Sequence, residues 1–552
     1  MTLGHPTDNA LYYGDCLDWM RQWPNGIVDL IYLDPPFNSN QDFNMLFSPE
    51  GGGDAQYRAF ADTWVWDTAA AERLETYLGA VMKPAHNGIA GLYRLLGASG
   101  MLAYLTYMAE RLEECHRLLK PTGSIYLHCD PTASHYLKAL MDGIFGHRYF
   151  VNEIVWKRLT GGRSDAKRYG RVHDVILYYG PPDRKWNHTY TAHDAGYVDR
   201  FYRNEDALGR WQPDNLTASG VRTGSSGKPW RGIDPTAMGN HWRTPTGGGM
   251  NDFIISRELI FGWPDAFPTV QSRLEALDKA GLIYWPPKGS MPRLKRYLAS
   301  TKGVAVSDLI ADIGHLSGHA KEKLGYPTQK PQALLERIIK ASSNPGDLVL
   351  DPFCGCGTTV AAADALGRRW LGIDIDSHAI EVMLQRLGDR TIPTYGIPAD
   401  YRSAKLLSRD DPFGFETWAI QRAPGFAPNV RQVGDGGIDG RGTLTLKPDD
   451  WTSRLAIAQV KGGQKPPVDG LRAFCNVTNR QKAAVGCYIT LDPIRSPKAK
   501  ADAYLGRIHV SGAPYDRMNL WSIHDYFDQR HPHLPPMNNP YTGKPLAQGA
   551  LF

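Results

Sequence analysis

A carboxylate followed by two prolines and an aromatic residue stands directly after an apolar run near the start of the chain. In DLIYLDPPFNSN, residues 29–40, Asp34 is followed by Pro35, Pro36 and Phe37. Proline fixes its own φ and has no amide donor, so the turn is stiff and adds no donor that competes for the carboxylate. The group offers rigid hydrogen-bond acceptors beside an aromatic ring. Because Asp-Pro is common in turns, an ordinary turn that ends a strand is the alternative.

A second group of chemically useful residues forms a glycine-containing loop much further along the chain. LVLDPFCGCGTT (348–359) contains Asp351, Phe353, Gly355, Gly357 and Thr358 after or at the end of an apolar run. Glycines after a parallel strand let a ligand approach the backbone closely at the carboxyl end of a sheet. The spacing differs from the phosphate-binding GxxxxGK[ST] loop and from the dinucleotide-binding GxGxxG loop.

An acid follows this loop at the distance expected for a ribose-binding residue. The run WLGIDID places Asp374 at the end of the next predicted strand, about 20 residues after the loop, where an acid can accept both hydroxyls of a ribose. The loop and this acid together indicate a nucleoside ligand. A pair of turn glycines and a strand-end acid that bind no ligand are the alternative.

The C-terminal part holds a further set of polar residues suited to different chemistry. Glu416 lies in a predicted helix, Asp439 ends a turn, and Gln459 and Lys461 share one face of a predicted strand at positions i and i+2. Asp439 and Glu416 can hold a divalent cation such as Mg²⁺, which can prepare a water for phosphodiester hydrolysis. Lys461 would position or deprotonate that water. An ordinary solvated strand end is the alternative for QVKGG.

The elements that must position these residues alternate between strands and helices. IVDLIYLD, GSIYLHCD and DVILYYG are predicted strands, and apolar residues recur at helical spacing between 102 and 119. This alternation predicts an α/β fold with a largely parallel sheet, whose catalytic part comprises 1–180. The alternation resumes in 321–390, which holds the glycine loop.

The remaining segments differ in composition. Residues 181–320 are rich in Gly, Pro, Asn and Thr, yet they hold six of the fifteen tryptophans, which predicts a folded insertion rather than a disordered linker. Residues 391–410 are predicted to be a linker, and 411–552 a second α/β domain. These tryptophans are expected mainly to build the insertion's own core.

Length and composition set wider limits. A chain of 552 residues is expected to form two or three domains, and its net charge of +5 permits nucleic-acid binding without arguing for it.

No apolar run is long enough to cross a membrane, and the N-terminus has no signal pattern, so we expect a cytoplasmic protein with no membrane partner. The seven cysteines have no zinc-ligand spacing, which predicts free thiols. The oligomeric state is left open, with a homodimer among the alternatives.

Several of these motifs together resemble a known family. DPFCGCGTT is similar to the cofactor loop of the S-adenosylmethionine-dependent DNA amino-methyltransferases, and LDPPF to their catalytic motif. YPTQKP, which contains Lys330, resembles the segment beside the methionine end of the cofactor, and the acid of GD, Asp15, matches the one that approaches the adenine. The order of catalytic motif, insertion and cofactor loop is that of the β class. GSIYLHCDPTASHYLKALMDGIFG and FVNEIVWKR resemble prokaryotic type III modification subunits within that class.

The resemblance, which covers about 1–390, implies a fold and a reaction. The expected fold is a Rossmann-like methyltransferase sheet with an inserted target-recognition domain at 181–320. Asp34 and the carbonyl of Pro35 would accept the amine hydrogens of a base, Pro36 would stiffen the turn, and Phe37 would stack on a base flipped out of double-stranded DNA. The Asp-Pro-Pro form of the motif favours the N6 amine of adenine over the N4 amine of cytosine.

The C-terminal part resembles another family. VGDGGIDGRG and RLAIAQVKGG are similar to the PD-(D/E)XK nuclease core in its Mrr-like variant, with a glutamine in place of the usual second acid. The resemblance implies a restriction-endonuclease-like α/β domain at 411–552. We therefore expect one polypeptide that methylates a DNA sequence and cuts unmodified DNA. The alternatives are a methyltransferase whose tail is only a DNA-binding clamp, and an assembly subunit that needs a partner for activity.

Overall fold

The computed structural model describes the greater part of the chain. The described residues are 5–36, 44–45, 57–58, 64–80, 82–159, 167, 169–287, 291–317, 320, 322, 324, 329–388, 390–429, 437–446, 453–463, 468–538 and 546. They fall into two compact units. The first unit comprises Met1–Asn187 together with Asp308–Phe552, and the second unit is His188–Ser307.

The N-terminal part of the first unit alternates strands and helices, as the apolar pattern predicts. Its elements are β1 (Ala10–Tyr13), α1 (Cys16–Met20), β2 (Val28–Leu33), β3 (Asn44–Met45), β4 (Tyr57–Arg58), α2 (Thr68–Gly79), α3 (His86–Leu96), α4 (Gly100–Leu118), β5 (Leu119–Cys129), α5 (Ser134–Met141), β6 (Phe150–Lys157) and β7 (His173–Tyr179). A π-helical turn, Asp142–Gly146, follows α5.

The second unit is built around its own small core. Its elements are β8 (Tyr190–Thr191), α6 (Ala195–Phe201), β9 (Asn204–Asp206), β10 (Gly209–Asn215), β11 (Thr217–Ser219), β12 (Asn240–Trp242), α7 (Gly249–Ser256), α8 (Val270–Lys279), β13 (Ile283–Tyr284), β14 (Arg293–Tyr297) and β15 (Val304–Ala305). Four tryptophans are buried in its core: Trp211, Trp230, Trp242 and Trp263. Burial of these large side chains is what allows a segment so rich in glycine and proline to fold.

The first unit continues with the elements that complete its large sheet. They are β16 (Leu309–Ile310), α9 (Gln332–Ser342), β17 (Leu348–Asp351), α10 (Thr358–Ala365), β18 (Arg369–Asp374), α11 (Ser377–Leu387) and β19 (Thr394–Tyr395). The nine strands lie in the order β16-β6-β7-β5-β2-β17-β18-β1-β19. All neighbours are parallel except those of β7, which runs antiparallel to β5 and β6.

The large sheet is covered on both faces, which explains the continuous apolar runs of its strands. Every residue of β2 is buried. Leu30 and Tyr32 join the core that contains the residues of α9, α10 and α11. Ile31 and Leu33 point to the opposite face and join the core that contains α3, α4 and α5.

The C-terminal part of the first unit contains a second, smaller sheet. Its elements are α12 (Tyr401–Asp410), α13 (Pro412–Gln421), β20 (Phe426–Pro428), β21 (Gly440–Thr445), β22 (Ser453–Lys461), α14 (Val468–Arg480), β23 (Val485–Thr490), α15 (Pro497–Asp502), β24 (Arg507–Val510), β25 (Ala513–Asp516), β26 (Met518–Ser522) and α16 (Ile523–Phe527). The sheet has the order β20-β21-β22-β23-β26, with β20, β21 and β22 antiparallel and the last three strands parallel.

Residues 391–410, predicted to be a linker, are ordered elements of the first unit. Within them β19 extends the large sheet by pairing with β1, and Tyr395 stacks on Tyr12 with the two ring centroids 5.1 Å apart. Helix α12 begins with a capping box between Asp400 and Ser403. The segment thus contains a strand and a helix, and its role as a linker between the large sheet and the C-terminal sheet stays a prediction.

The insertion also has narrower bounds than the predicted 181–320. Lys185 donates to Asp29 and Asp347, and the amide of Asn187 donates to the carbonyl of Ala341, so the residues before 188 belong to the first unit. After 307, β16 forms the edge of the large sheet beside β6. Composition does not predict these bounds, because they depend on polar contacts and on the pairing of an edge strand.

Two general expectations concern membranes and thiols. Within the described residues, no helix combines the length and the apolar character needed to cross a membrane. All seven cysteines are buried free thiols, as predicted.

Candidate active site

Four adjacent parallel strands bring most of the predicted site residues to one place. In the order β2, β17, β18 and β1, their carboxyl ends meet at the same edge of the large sheet. Asp34 directly follows β2, Asp351 ends β17, Asp374 ends β18, and Asp15 comes two residues after β1. Ligands of α/β sheets bind at this edge, so the topology favours one shared site for all four acids.

A cavity of about 190 Å³ opens at this edge. The predicted residues that line it are Asp15, Asp34, Pro35, Pro36, Lys330, Asp351, Phe353, Gly355, Thr358 and Asp374. Tyr32, Tyr107 and Leu335 also line it. The DPPF turn and the glycine loop, more than 300 residues apart in sequence, therefore share one cavity; Phe37 lies outside the described residues.

The carboxylate of Asp34 is held by one partner and leaves one oxygen for a ligand. Its Oδ2 accepts a hydrogen bond from Nζ of Lys330, and the two side chains are 14% and 12% exposed. Its Oδ1 is buried and has no hydrogen-bond partner among the described residues. A buried acceptor without a partner is costly, so it is a natural place for a ligand donor.

Lys330, predicted beside the methionine end of a cofactor, also contacts the DPPF turn. It precedes α9 and faces the cavity together with Gln329. The preceding residues 325–328 lie outside the described part of the chain. The pairing of Lys330 with Asp34 was not predicted, since nothing in either motif indicates which cation neutralises the acid.

Asp351 is the most deeply buried acid of the cavity. It is 3% exposed, and its carboxylate accepts hydrogen bonds from the amide of Phe353, at 3.1 Å, and from the hydroxyl of Thr359. Burial, together with the nearby charges of Asp34 and Asp374, raises the pKa of Asp351 to about 7, although these two hydrogen bonds act in the opposite direction. Near neutral pH both the protonated and the charged form of this group are therefore populated.

Asp374 accepts hydrogen bonds from the glycine loop and from the turn that follows it. The amide of Gly355 donates to its Oδ2 at 2.7 Å, and the amide of Asp376 donates to its Oδ1 at 2.8 Å. Burial raises the pKa of Asp374 to about 7, and the charge of Asp376 acts in the same direction. The two amides fix the carboxylate and leave its remaining lone pairs directed at other groups.

The glycine loop leads into α10 through a residue that has to be glycine. Gly357 is the N-cap residue of α10 at φ +73°, and a Cβ there would lie 2.4 Å from Cγ of Met383. This position therefore requires glycine for two reasons, although Gly357 is not one of the residues that line the cavity. The hydroxyl of Thr358 accepts a hydrogen bond from Arg386 at 3.1 Å.

Asp15, which also lines the cavity, is held in place by a buried arginine. Its Oδ1 caps α1 by accepting from the amide of Leu17, and its Oδ2 accepts from Arg111 at 2.5 Å. The guanidinium of Arg111 stacks on Tyr107 with 3.3 Å from its carbon to the ring centroid. Sequence reasoning missed Arg111, which occupies an ordinary position on α4.

A buried hydrogen-bonded network also reaches the cavity and was missed. The hydroxyl of Tyr32 lies 2.8 Å from Nδ1 of His128, and Nε2 of His128 lies 3.3 Å from Asp174. Arg158 approaches the other oxygen of Asp174 at 3.0 Å. Although burial raises the pKa of Asp174, the His128 hydrogen bond and the Arg158 charge hold that pKa below its usual value. The histidine of SIYLHCD was the available signal.

The C-terminal residues are brought together only in part. Asp439 precedes β21, its Oδ2 accepts from the amide of Val460 at 2.7 Å, and its own amide donates to Ala458, so it lies beside Gln459. Lys461 follows on the same face of β22. Helix α13, which carries Glu416, packs on the other face, where Ala458 and Val460 point.

The ligands for a divalent cation at this place are few. Within the described ranges, no group of three or more His, Cys, Asp and Glu side chains is arranged to hold a metal ion. Asp439 with the amide oxygen of Gln459 fits Mg²⁺ only if a substrate phosphate and water complete the coordination. The predicted pairing of Asp439 with Glu416 stays a prediction.

Comparison with known proteins agrees with the methyltransferase part of this description. The family model N6_N4_Mtase, described as DNA methylase, matches residues 28–385. The chain is 32% identical over 286 residues to the type II methyltransferase M.EcaI of Enterobacter cloacae, covering 51% of this chain and 57% of that one. It is 26% identical over 371 residues to the StyLTI Mod subunit of Salmonella typhimurium, a type III restriction-modification enzyme, covering 65% and 50%.

A third relative is the DNA adenine methyltransferase YhdJ of Escherichia coli K12, 26% identical over 378 residues, covering 68% of this chain and 82% of that one. The chain spans about half the length of the first two relatives. The match to the family model ends before the C-terminal sheet, for which the nuclease resemblance stays a prediction. Because the model matches more than half of the sequence, this chain belongs to the DNA methylase family of N6 and N4 methyltransferases.

Proposed function

We propose that this protein transfers a methyl group from S-adenosylmethionine to the N6 amine of adenine in double-stranded DNA. One observation carries the proposal: the DPPF turn and the glycine loop with its acid line the same cavity. The cavity could thus hold two ligands at once. The turn offers an acceptor for amine hydrogens, and the loop with its acid is suited to a nucleoside. Membership of the DNA methylase family supports the same reaction.

The residues that line the cavity suit the proposed cofactor. Asp374, held by the amide of Gly355, would bind the ribose hydroxyls, and Asp15 would lie towards the adenine. Phe353 would pack on the cofactor. Asp351, a buried acid without a cation of its own among its described contacts, suits a positively charged ligand.

The chemistry of the chain itself lies mainly in orientation. When bound, S-adenosylmethionine supplies a methyl group on a positively charged sulfur. An exocyclic base amine is a weak nucleophile because its lone pair is delocalised into the ring. Oδ1 of Asp34 and the carbonyl of Pro35 would accept its two hydrogens and so draw the lone pair out of conjugation. As the new N–C bond forms and the bond between the methyl group and sulfur breaks, leaving S-adenosylhomocysteine, the amine would lose a proton, for which Asp34 is the adjacent acceptor.

Adenine is proposed over cytosine on two grounds. The motif has aspartate before its two prolines, the form that the family resemblance associates with adenine. One relative, YhdJ, is named as a DNA adenine methyltransferase. Cytosine N4 is the alternative, and the two products are distinguished by nucleoside analysis of methylated DNA. Phe37, outside the described residues, keeps its predicted role of stacking on the flipped base.

We also propose that the second unit, His188–Ser307, selects the DNA target. Its core is closed by buried tryptophans, so it is a folded body that can present loops to DNA. The large aromatic side chain of Phe261 is 98% exposed at one of these loops. Exposed aromatic and basic side chains are suited to stacking and to phosphate contact.

The catalytic assignment is tested by replacing Asp34. Asp34→Ala should lower kcat for methyl transfer by about 100-fold or more, the loss expected when a positioned acceptor is removed. The substitution also removes an acceptor of the Lys330 cation, which faces the cavity, so the controls are Lys330→Met alone and Asp34→Ala with Lys330→Met. If Lys330→Met methylates, and the double variant binds cofactor normally but does not methylate, Asp34 acts in the reaction. Methylation at the wild-type rate would contradict the proposal.

For the C-terminal part we propose Mg²⁺-dependent cleavage of unmodified DNA. The specific observation in its favour is that Asp439, which directly precedes β21, lies beside Gln459 of the neighbouring β22, with Lys461 two residues further along β22. A DNA phosphate between them would meet a carboxylate that can bind Mg²⁺ and a cation that can position the attacking water. With both activities in one chain, the protein would be a self-protecting restriction–modification enzyme.

One plasmid in two portions tests this second function. One portion is first treated with the protein and S-adenosylmethionine in EDTA, and then both portions receive the protein with Mg²⁺. Cutting of the untreated portion alone supports the proposal, and Lys461→Ala should stop cutting while methylation continues. If neither portion is cut although the treated DNA is methylated, the chain does not cleave DNA by itself and the cleavage proposal is wrong; a DNA-binding clamp, or a part that needs a partner for activity, then takes its place.

A further inference from the structure

The turn that follows β18 is held by a helix from outside the part of the chain that matches the family model. The turn comprises residues 374–377, and the helix is α13, which packs on α11. Two consecutive residues at the end of α13, Gln421 and Arg422, contact the turn. The family match ends at residue 385, so neither residue belongs to the matched region.

The amide of Gln421 bonds to the turn through both of its polar atoms. Its Nε2 donates to Oδ1 of Asp376 at 3.0 Å. Its Oε1 accepts from the amide of Ser377 at 3.2 Å and from the hydroxyl of Ser377 at 2.5 Å. Only a side chain with a donor and an acceptor side by side makes this set of contacts, as an amide does.

Arg422 anchors the same turn to α11. It is 4% exposed, donates to the hydroxyl of Ser377 at 2.5 Å, and forms an ion pair with Glu381. Burying a guanidinium this deeply costs free energy unless its charge is paired and its donors are hydrogen-bonded. The pair therefore fixes the end of α13 relative to the start of α11.

The turn transmits this support to the proposed ribose acid. The amide of Asp376 donates to Oδ1 of Asp374, while the amide of Gly355 donates to Oδ2. Asp374 and the adjoining Ile375 both line the cavity. A shift of Asp376 would thus displace one of the backbone donors that orient the Asp374 carboxylate.

We propose that Gln421 and Arg422 are positioning residues of the cofactor site, so the C-terminal part completes a site that the family region does not complete alone. This inference rests on the proposed function, because it assigns cofactor binding to the cavity. The two residues do not touch the ligand; they act through the 374–377 turn. The expected effect is therefore on cofactor affinity and not on the chemical step.

The decisive variant is Gln421→Glu, which places a carboxylate against Asp376 and removes the Nε2 donor. We expect the KM for S-adenosylmethionine to rise about tenfold, equal to about 1.4 kcal/mol, with kcat at saturating cofactor nearly unchanged. Adding Asp376→Asn supplies a new donor to the glutamate, so the double variant should recover most of the affinity. Asp376→Asn alone should change little, because an amide oxygen can still accept from Gln421.

A matched control separates positioning from general destabilisation. Asn519→Ala removes a buried side-chain amide that donates to the carbonyl of Asp516 at 3.0 Å in the same C-terminal part, away from the turn. It should leave the KM for cofactor unchanged. An unchanged KM in Gln421→Glu, or an equal rise in Asn519→Ala, would overturn the inference. Absence of any methylation by the wild-type protein would instead contradict the proposed function.

Discussion

Lys330 donates a hydrogen bond from Nζ to Oδ2 of Asp34, joining residues 296 positions apart in the sequence. One residue precedes a helix on one face of the large sheet, and the other ends a central strand. The cation therefore fixes one carboxylate oxygen in the cavity while the other stays available. A carboxylate with one oxygen fixed and the other available is suited to accept a hydrogen from a substrate without rotating.

Removal of this cation should destabilise the protein. Lys330→Met leaves the largely buried Asp34 carboxylate without its partner, so the free energy of unfolding should fall by about 1–3 kcal/mol. Urea unfolding at neutral pH measures the change. The variant Asp34→Asn with Lys330→Met should recover part of the loss, because no buried charge is left unpaired. Strictly additive losses would show that the two side chains are not coupled.

The stability of the free protein should depend on Asp351 in a defined pH range. The folded chain holds the pKa of this group at about 7 instead of its ordinary 3.8, so between these values it keeps a proton that the unfolded chain has lost. The contribution of Asp351 to stability therefore falls as the pH rises from about 4 to about 7. Asp351→Asn should be more stable than wild type near pH 8, with the difference vanishing near pH 4 in urea unfolding. Parallel pH profiles would contradict this assignment.

Cofactor binding should release protons near neutral pH. Asp351 and Asp374, both with a pKa of about 7, would each favour the charged form beside a positively charged ligand. Calorimetric titration with S-adenosylmethionine near pH 6.5, in buffers of different ionisation enthalpy, measures the protons released. S-Adenosylhomocysteine lacks the charge on sulfur and should release fewer. Equal heats in all buffers would mean that neither acid changes its charge.

His128 should be required for stability because it satisfies two buried groups. His128→Phe keeps a ring of similar size but leaves the Tyr32 hydroxyl and one oxygen of Asp174 without this partner. The free energy of unfolding should fall by about 2–3 kcal/mol. In the variant that adds Tyr32→Phe, one unpaired hydroxyl is gone, so part of the loss should return. A further decrease of stability on this addition would argue against the network.

The acids and the glycine loop could be predicted from the sequence because each follows a strand with a clear apolar pattern. Parallel strands place such residues at one edge, and the cavity contains Asp34, Asp351 and Asp374 as this rule requires. The α/β fold and the folded insertion followed from the same periodicity and from the tryptophans. These features depend on local sequence, which a single chain displays directly.

The partners of the site acids and of the adjoining turn could not be predicted. Lys330, Arg111 and Gln421 reach their partners across the fold, and nothing in the local sequence indicates which acid each of them contacts. Register, the identity of a counter-ion and the face of a helix that meets a distant turn depend on tertiary packing. The edge strand in residues 391–410 was missed for a different reason, because its two residues are too few to show a periodic pattern.

The support of the 374–377 turn by α13 has a consequence for how such genes can recombine. A crossover just after the family region would join a new tail to a turn shaped for Gln421 and Arg422, and the hybrid would inherit a weakened cofactor site. Viable exchange of tails would carry Ser377 and Glu381 along with α13. The segment that must be inherited together therefore crosses the boundary between the nine-stranded sheet and the five-stranded C-terminal sheet.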